Sequence, residues 1–363
     1  MRDCPIGVFD SGIGGLSVLE QILALDAFDN GTGAPGTDGQ PDFAGEEFVY
    51  FGDQANMPYG RYDAAGKADL LRELVRRDAR FLLGSDGHRP AKVIVIACNT
   101  ATAYGLEAVR AMPRSRGEKV IGVVNAGVEA ALDAISSATG ACAVAVMATP
   151  ATISSGVYER TLAETARVRA LSFPVFVASR GGIGLAEAVE NAEPGRFLCA
   201  RTNVVALVTD YRAHGGKAPI RAFILGCTHY PFVLEAIRSA LDSLRENPEY
   251  ASLLPRDIVF VDPAVYTAMA CYKALREDGL LRTSGAERPR PRVEAFVSIG
   301  RDGPLDDSVK YGRSVSDADY GTKIVPLACG SLTDATAESV AASFPLSAAA
   351  LGISPTHSCD KDK

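Results

Sequence analysis

Residues 6–25, IGVFDSGIGGLSVLEQILAL, contain the two patterns that decide the fold class. Residues 6–9 are a short apolar run of the kind that forms a buried strand, and residues 16–25 repeat leucine and isoleucine at helical spacing. A glycine-rich turn joins the two patterns. The stretch therefore predicts a strand that is followed closely by an amphipathic helix.

The same pattern recurs along the chain. Further short runs rich in apolar residues alternate with stretches of helical period, and they occupy residues 48–51, 93–97, 120–124, 142–147, 222–225 and 258–261. Nearly continuous hydrophobicity is typical of strands that are buried on both faces of a parallel sheet. Such alternation predicts an α/β fold with right-handed crossovers, in which ligands bind beyond the carboxyl ends of the strands.

The predicted strand ends carry polar and sulfur-containing side chains, and they do so in both halves of the chain. In the first half, one strand ends at Asp10-Ser11 and a later one at Cys98-Asn99-Thr100. In the second half, one strand ends before Thr149 and a later one before Cys227-Thr228-His229. This repetition predicts two similar domains with parallel-type sheets that face each other across an active-site cleft.

Interruptions of the pattern set the predicted domain boundaries. The first domain is assigned residues 1–122 plus 233–282, the second residues 123–232, and a partly irregular C-terminal extension residues 283–363. Residues 30–46, rich in Gly, Asp and Pro, predict a surface insertion. Within the extension, which we expect to be peripheral to the chemistry, residues 334–344 predict a helix and residues 357–363 a disordered end.

Composition excludes several classes of function. The 363 residues are 47% hydrophobic and 22% charged, with a net charge of −7, so no overall basic field attracts nucleic acid or an anionic membrane. The N-terminus lacks the features of a signal peptide, and no apolar run approaches the ~18 residues of a membrane span. Eight scattered cysteines without a C-x-x-C motif indicate reduced thiols, and we expect a cytoplasmic protein.

Cys98 and Cys227 are the candidate reactive groups. A thiolate is an effective base once its pKa is lowered, and each cysteine is predicted to precede a helix N-terminus capped by Thr100 or Thr228. Two bases on opposite faces of a carbon acid suffice for racemisation. Asp10 and His229 are the natural groups to assist them.

Blander interpretations stand beside these. A cysteine is usually a small buried hydrophobe, which suits Cys4, Cys142, Cys199 and Cys271, whereas polar partners follow Cys98 and Cys227 at once. The turn at residues 10–15 lacks G-x-G-x-x-G spacing and a Walker lysine, so it suits a carboxylate better than a nucleotide. Pro58-Tyr59-Gly60 is either an ordinary turn or a segment that closes over a substrate. We find no metal-ligand set and no lysine that marks a pyridoxal phosphate site.

Five segments closely resemble the glutamate racemases of the bacterial aspartate/glutamate racemase superfamily. They follow the order of that family and span roughly residues 5–265: IGVFDSGIGGL (6–16), YFGDQANMPYG (50–60), IACNTATA (96–103), TPATISSGVY (149–158) and LGCTHYP (225–231). Any one of these matches is modest, whereas the set is highly specific.

The resemblance implies two α/β domains that enclose glutamate, no cofactor, and production of D-glutamate for peptidoglycan. It implies that Cys98, assisted by Asp10, deprotonates D-glutamate, and that Cys227, assisted by His229, deprotonates L-glutamate. The α-amino and carboxylate groups are expected to be held by Ser11, Pro58, Tyr59, Gly60, Asn99, Thr100, Thr149, Thr152 and Thr228. Family members are usually homodimers.

Two departures from the family pattern bear on activity. Residues 123–127, VVNAG, stand where the family usually has Ile-Glu-Pro-Gly. The position of the glutamate that supports the catalytic histidine is predicted to be Gly181, and the next glutamate is Glu187. Alternatives therefore stay open: a racemase of another amino acid such as aspartate, or a catalytically weak relative that binds a protein partner. A related decarboxylase is expected to keep only one of the two cysteines.

Overall fold

The computed structural model describes residues 1–85, 87–113, 117–282, 291–319, 321–327, 332 and 334–353. Contacts divide the chain into two compact units. The first unit is Met1–Gly122 with Thr267–Lys363, and the second is Val123–Tyr266. No helix within the described ranges is long and apolar enough to cross a membrane.

The strands confirm the α/β class. In chain order they are β1 (Ile6–Asp10), β2 (Glu47–Gly52), β3 (Val93–Ile96), β4 (Lys119–Gly122), β5 (Cys142–Ala148), β6 (Val175–Gly181), β7 (Ile220–Gly226), β8 (Val259–Val261), β9 (Arg292–Gly300) and β10 (Thr322–Pro326). The first unit contains the sheet β10-β9-β2-β1-β3-β4, and the second contains the sheet β6-β5-β7-β8. Pairing is parallel throughout the described sheets except between β9 and β10.

Helices follow most of the strands. They are α1 (Leu16–Ala24), α2 (Ala68–Leu82), α3 (Asn99–Arg110), α4 (Val123–Ala134), α5 (Pro150–Ser154), α6 (Val157–Val168), α7 (Leu185–Glu190), α8 (Arg196–Ala213), α9 (Leu234–Arg245), α10 (Pro248–Ala251), α11 (Pro263–Glu277), α12 (Asp307–Gly312), α13 (Asp334–Ser343) and α14 (Pro345–Leu351). Short 3-10 helices lie at Gln54–Asn56, Tyr59–Arg61, Tyr230–Val233 and Val315–Asp317.

Burial explains why the strands are apolar along their whole length. All seven residues of β5 are buried, because α7, α8 and α9 cover one face of its sheet and α4 and α6 cover the other. Ala143, Ala145 and Met147 belong to the first of these cores, and the residues between them belong to the second. This alternation is the period of two that a strand imposes. Parallel pairing of β5 with β7 brings the carboxyl ends of both strands to one edge of the sheet.

The predicted domain boundary after residue 232 is wrong. Residues 233–266 belong to the second unit, because β8 pairs with β7 and α9 packs against α8. The predicted strand at residues 120–124 is also too long, since Val123 and Val124 already form the first turn of α4. Strand β6 was absent from the predictions. It lies at a sheet edge with Phe176 about half exposed, and its apolar run stops at Ala178, before Ser179 and Arg180.

The C-terminal segment belongs to the first unit and adds two strands to its sheet. Strand β9 pairs with β2 in the register Phe51↔Phe296, and β10 pairs with β9. The predicted helix at 334–344 is confirmed as α13. The following α14 packs against α1, where the Glu20 carboxylate accepts the N–H groups of Leu346 and Ser347. Residues 357–363 lie outside the described residues.

Candidate active site

The first half of the candidate site lies at the carboxyl ends of β1 and β3. These strands are parallel neighbours with Phe9 opposite Ile96, and the same register continued two residues further places Ser11 opposite Cys98. The Cys98 Sγ is 3.7 Å from the Ser11 hydroxyl oxygen, and both side chains are 6% exposed. Adjacent parallel strands therefore bring together two of the residues that the sequence predicted.

Cys98 itself caps the helix that follows it. The backbone of Cys98 is extended, α3 begins at Asn99, and the Sγ accepts the Ala101 N–H at 3.4 Å. Thr100, predicted to be the cap, lies inside the first turn instead. The positive end of the helix dipole and this N–H favour negative charge on the sulfur. The predicted helix N-terminus is therefore present at Cys98, with the thiol as the cap.

Backbone amides hold the Asp10 carboxylate. Its Oδ2 accepts the N–H groups of Gly12 and Gly15 at 3.2 and 3.0 Å, and Asp10 is fully buried. A Cβ on Gly15 would lie 2.4 Å from the Asp10 Cβ, so glycine is required where the turn folds back over this side chain. The Tyr50 hydroxyl donates to the Gly12 carbonyl at 2.6 Å and fixes the turn to β2. The turn at residues 10–15 is thus a rigid cradle for one carboxylate of the protein itself.

The predicted Pro58-Tyr59-Gly60 segment belongs to the first unit, and it follows a cis peptide bond between Met57 and Pro58. The Tyr59 side chain is 1% exposed, with its hydroxyl 2.5 Å from Asp53 Oδ2 and 2.7 Å from Asp78 Oδ2. The Tyr59 side chain is therefore part of the protein core, so a substrate contact at Tyr59 would have to be made by its backbone. Pro58 and Gly60 are half-buried.

A shared proton explains how one hydroxyl meets two carboxyl groups. Tyr59 can donate a single hydrogen bond, so the second short contact needs a proton on one of the acids. Burial, followed by repulsion from Asp53, raises the pKa of Asp78 well above its usual value. Arg77 donates to Asp53 at 2.5 Å and to Asp78 at 3.3 Å. The raised pKa of Asp78 makes Asp78 the acid that carries the shared proton.

The second half of the candidate site lies at the carboxyl ends of β5 and β7. Ala148 is opposite Gly226, and the same register continued by one residue places Thr149 opposite Cys227. Thr149 caps α5, and its Oγ1 accepts the Thr152 N–H at 3.2 Å and lies 2.9 Å from the Thr152 hydroxyl. Thr149, Thr152 and Thr228 are all at most 9% exposed. A hydroxyl-bearing residue therefore lies in register with a cysteine in each unit.

A buried relay of side chains lies beside Cys227. The predicted cap at Thr228 is wrong, because the short 3-10 helix that follows begins at Tyr230, with His229 as its N-cap and Pro231 in its first turn. Instead, the Cys227 Sγ lies 3.5 Å from His229 Nδ1, and His229 Nε2 lies 2.5 Å from Glu190 Oε2. All three side chains are less than 10% exposed. The relay Cys227–His229–Glu190 lies wholly within the second unit.

The charge state of His229 follows from its neighbours. Burial alone lowers the pKa of this imidazole, but the negative charges of Glu190 and Cys227 outweigh burial, and the net pKa is well above 6.5. An imidazolium donates from both nitrogens, which matches a thiolate on one side and a carboxylate on the other. The arrangement can therefore hold Cys227 as a base and return a proton to it.

Comparison with known proteins places these two half-sites in one family. The sequence model of the Asp/Glu/Hydantoin racemase family matches residues 50–268. The chain belongs to this family. Among similar curated racemases, the glutamate racemase of Chlorobaculum tepidum is 32% identical over 285 residues, which cover 78% of this chain and 84% of that protein. The glutamate racemase of Pseudomonas paraeruginosa is 32% identical, with 80% of this chain and 88% of that protein covered.

Solved racemase structures are similar over most of the chain. A glutamate racemase isoform from Bacillus anthracis has a TM-score of 0.58 at 26% identity and covers 82% of this chain and 89% of that chain. The glutamate racemase from Francisella tularensis in complex with D-glutamate has a TM-score of 0.56 at 26% identity, with 87% and 93% covered. These likenesses agree with the two parallel-type sheets described above.

A glutamate, Glu190, lies beside His229, so the prediction that Gly181 takes the place of the supporting glutamate is wrong. Gly181 ends β6, where a Cβ would lie 2.8 Å from the Pro150 Cα, and the chain then turns through Gly182 and Gly184 into α7. That short helix brings Glu190 to His229. The spacing of Leu185, Ala188 and Val189 predicts that α7 packs against the core. Glu190 lies off that apolar stripe, so the sequence carries no signal that places its carboxylate beside His229.

Proposed function

We propose that this racemase interconverts L- and D-glutamate without a cofactor, using Cys98 and Cys227 as two bases. The observation that carries the proposal is the pair of cysteine-bearing strand ends, each with its own polar apparatus: the capped helix and Asp10 turn in one unit, the His229–Glu190 relay in the other. The names of the similar curated racemases, whose length the chain mostly spans, support glutamate as the substrate.

In the direction from L-glutamate, the Cys227 thiolate takes the α-proton. The S–H bond forms as the Cα–H bond breaks, and the electron pair stays on the α-carbon and its carboxylate. The Cys98 thiol then gives its proton to the opposite face and becomes the thiolate. His229 and Asp10 assist Cys227 and Cys98 respectively, as the resemblance implies. After this turnover Cys227 is a thiol and Cys98 is a thiolate, which are the protonation states that the reverse reaction needs. Proton exchange with solvent must therefore restore the starting states.

Substrate binding is assigned to the residues that surround these strand ends. Within the first unit they are Ser11, Pro58, Tyr59 (through its backbone), Gly60, Asn99 and Thr100, and within the second unit Thr149, Thr152 and Thr228. Because the chain is acidic overall, backbone N–H groups and hydroxyls rather than bulk charge would hold the two carboxylates of glutamate. The proposal includes supply of D-glutamate for peptidoglycan and a homodimer that sedimentation would test.

A turnover panel tests the proposal. The full chain is assayed by circular dichroism with the L and D forms of glutamate, aspartate and alanine. We expect turnover of both glutamate enantiomers with equal kcat/KM, because the equilibrium constant of a racemisation is unity. Turnover of aspartate alone would show that aspartate, and not glutamate, is the substrate. Turnover of no amino acid would contradict the racemase function and favour a relative that acts through protein binding.

A further inference from the structure

We infer that the C-terminal segment positions the loop that carries Pro58, Tyr59 and Gly60. We call residues 53–62 the substrate loop and residues 298–319 the strap. Both belong to the first unit. This inference rests on the proposed function, because that proposal assigns substrate contacts to the loop. It makes Arg313 and Lys310 positioning residues for substrate binding.

The backbone bonds of the substrate loop are local. The Asn56 N–H donates to the Asp53 carbonyl at 3.1 Å, and the Arg61 N–H donates to the Pro58 carbonyl at 3.3 Å. The Asp53 N–H, at the start of the loop, donates to the Asp10 carbonyl at 2.9 Å. Bonds between residues three apart shape a turn but do not fix it against the sheet. The position of the loop beyond Asp53 therefore depends on side-chain contacts: the buried Tyr59 hydroxyl on Asp53 and Asp78, and the side chains that reach the loop from the strap.

Arg313 makes one buried tie between the strap and the loop, beside a buried contact of Ser298. The Ser298 hydroxyl donates to Asp53 Oδ1 at 2.6 Å and accepts the Ala55 N–H at 2.9 Å. The Arg313 guanidinium donates to Asn56 Oδ1, and also to the strap carbonyls of Lys310 and Ala318, both at 3.4 Å. Arg313 is 5% exposed and Asn56 is fully buried. Arg313 thus joins the backbone of the strap to the middle of the loop.

A second tie reaches the backbone directly before Pro58. The Lys310 ammonium donates to the Met57 carbonyl at 2.8 Å, and Lys310 is half-buried. The nearby ion pair of Arg61 with Asp307 at 2.9 Å joins side chains that are 50% and 58% exposed, so it contributes little. The bond from Lys310 differs because it holds a main-chain atom adjacent to the proposed substrate contacts.

The two ties act on the loop and leave Cys98 untouched. Cys98 lies on the turn between β3 and α3, and its contacts with Ser11 and Ala101 do not involve the strap. Loss of a tie should therefore weaken substrate binding while the proton-transfer groups keep their pKa values. The expected signature is a raised KM, with kcat and its pH profile close to those of the parent.

Lys310→Met and Arg313→Gln test the inference, with Lys323→Met as the matched control because Lys323 is an exposed lysine on β10. We expect KM for both glutamate enantiomers to rise about tenfold in Lys310→Met and in Arg313→Gln, since a hydrogen bond to a charged donor is lost. Lys310→Arg, which keeps a donor, should bring KM back to within about twofold of the parent, well inside the tenfold step that 1.4 kcal/mol represents. Lys323→Met should match the parent.

Hydrogen exchange of the substrate-free protein gives a second readout that does not need activity. The amides of residues 54–62 should exchange about fivefold faster in Lys310→Met and Arg313→Gln, and at the parental rate in Lys323→Met. Unchanged KM and unchanged exchange in folded Lys310→Met would overturn the inference, as would a changed pH profile of kcat at unchanged KM. A parent without racemase activity would refute the proposed function, and exchange would still decide whether the strap holds the loop.

Discussion

The two cysteine half-sites reach similar chemistry by different physical means. At Cys98 the groups that favour charge on the sulfur and hold its neighbour Asp10 are local and largely main-chain. They are a helix N-terminus, an amide that donates to the sulfur, and a turn whose N–H groups hold Asp10. At Cys227 the corresponding groups form a chain of buried side chains that ends at Glu190, 39 residues away from His229. Main-chain devices tolerate side-chain changes, whereas a buried charge relay fails when one partner is removed. The second half-site is therefore the more fragile one.

The largest expected effect comes from removing either sulfur. Cys98→Ser and Cys227→Ser should each lower kcat for racemisation by at least about 10²-fold, because each deletes one of the two bases. Circular dichroism of glutamate solutions measures the rate. Cys199→Ser, at a half-buried cysteine of the second unit, serves as the control and should match the parent. Full activity in Cys98→Ser or Cys227→Ser would end the two-base scheme.

Glu190→Gln tests the relay at the second half-site. Loss of the carboxylate charge should lower the pKa of His229, so the alkaline limb of the kcat profile moves to lower pH and kcat falls about 10- to 100-fold. The matched control is Glu187→Gln, three residues earlier on α7, which should keep the parental profile. A parental pH profile in Glu190→Gln would show that the relay does not tune Cys227.

The same variant can show that the relay serves one direction of proton transfer. Because the equilibrium constant is unity, kcat/KM must fall equally for both enantiomers and cannot reveal an asymmetry. Primary isotope effects can, since slow transfer at Cys227 should raise the effect with α-deuterated L-glutamate and leave it lower with the D form. Equal changes in both isotope effects would mean that Glu190 supports the site as a whole.

Close packing at two glycines gives a smaller, structural contrast. In Gly182→Ala the new Cβ would lie 2.2 Å from the Tyr230 hydroxyl, and in Gly15→Ala it would lie 2.4 Å from the Asp10 Cβ. Each substitution should lower the free energy of unfolding in urea by about 1–3 kcal/mol. Gly195→Ala has open space and negative φ, so it should have no such effect. Parental stability in both test variants would contradict the described packing.

The smallest effect is expected at Asp78, where the folded state holds a proton that the unfolded state releases. A carboxyl whose pKa is raised on folding makes stability fall as pH rises above about 4, its unfolded value. Asp78→Asn mimics the protonated acid and does not titrate. Urea unfolding between pH 4 and pH 7 should therefore show a flatter decline in Asp78→Asn than in the parent, with racemase activity within about twofold. An unchanged slope would place the shared proton elsewhere.

Local patterns predicted the parts of the fold that local physics decides. Buried central strands such as β1, β3 and β5 are continuous apolar runs, and the reactive residues follow them directly in sequence. Edge strands have shorter apolar runs: β6 becomes polar at Ser179 and Arg180, and β10 contains the exposed Lys323. The sequence-based predictions missed both strands. Long-range partners were missed because they are distant in sequence, and nothing near His229 in sequence indicates Glu190.

Residues with two plausible roles needed the packing to decide between them. Tyr59 matches a substrate-contact motif, yet its hydroxyl lies among buried acids, because β2 and α2 bring Asp53 and Asp78 to it. Thr100 has the chemistry of a helix cap, yet Cys98 occupies that position because β3 ends two residues earlier. The sequence therefore identified the correct segments, whereas the path of the backbone decides which atoms of each segment make the contacts.

The most direct test of the two-base mechanism is racemisation in deuterium oxide, started from either enantiomer. Proton NMR at early times measures the hydrogen and deuterium at the α-carbon. If different thiols remove and deliver the proton, the newly formed enantiomer carries deuterium at the α-carbon while recovered starting material keeps its hydrogen. A single base that works on both faces would instead put deuterium into starting material and product together, from both enantiomers, and would contradict the mechanism proposed for Cys98 and Cys227.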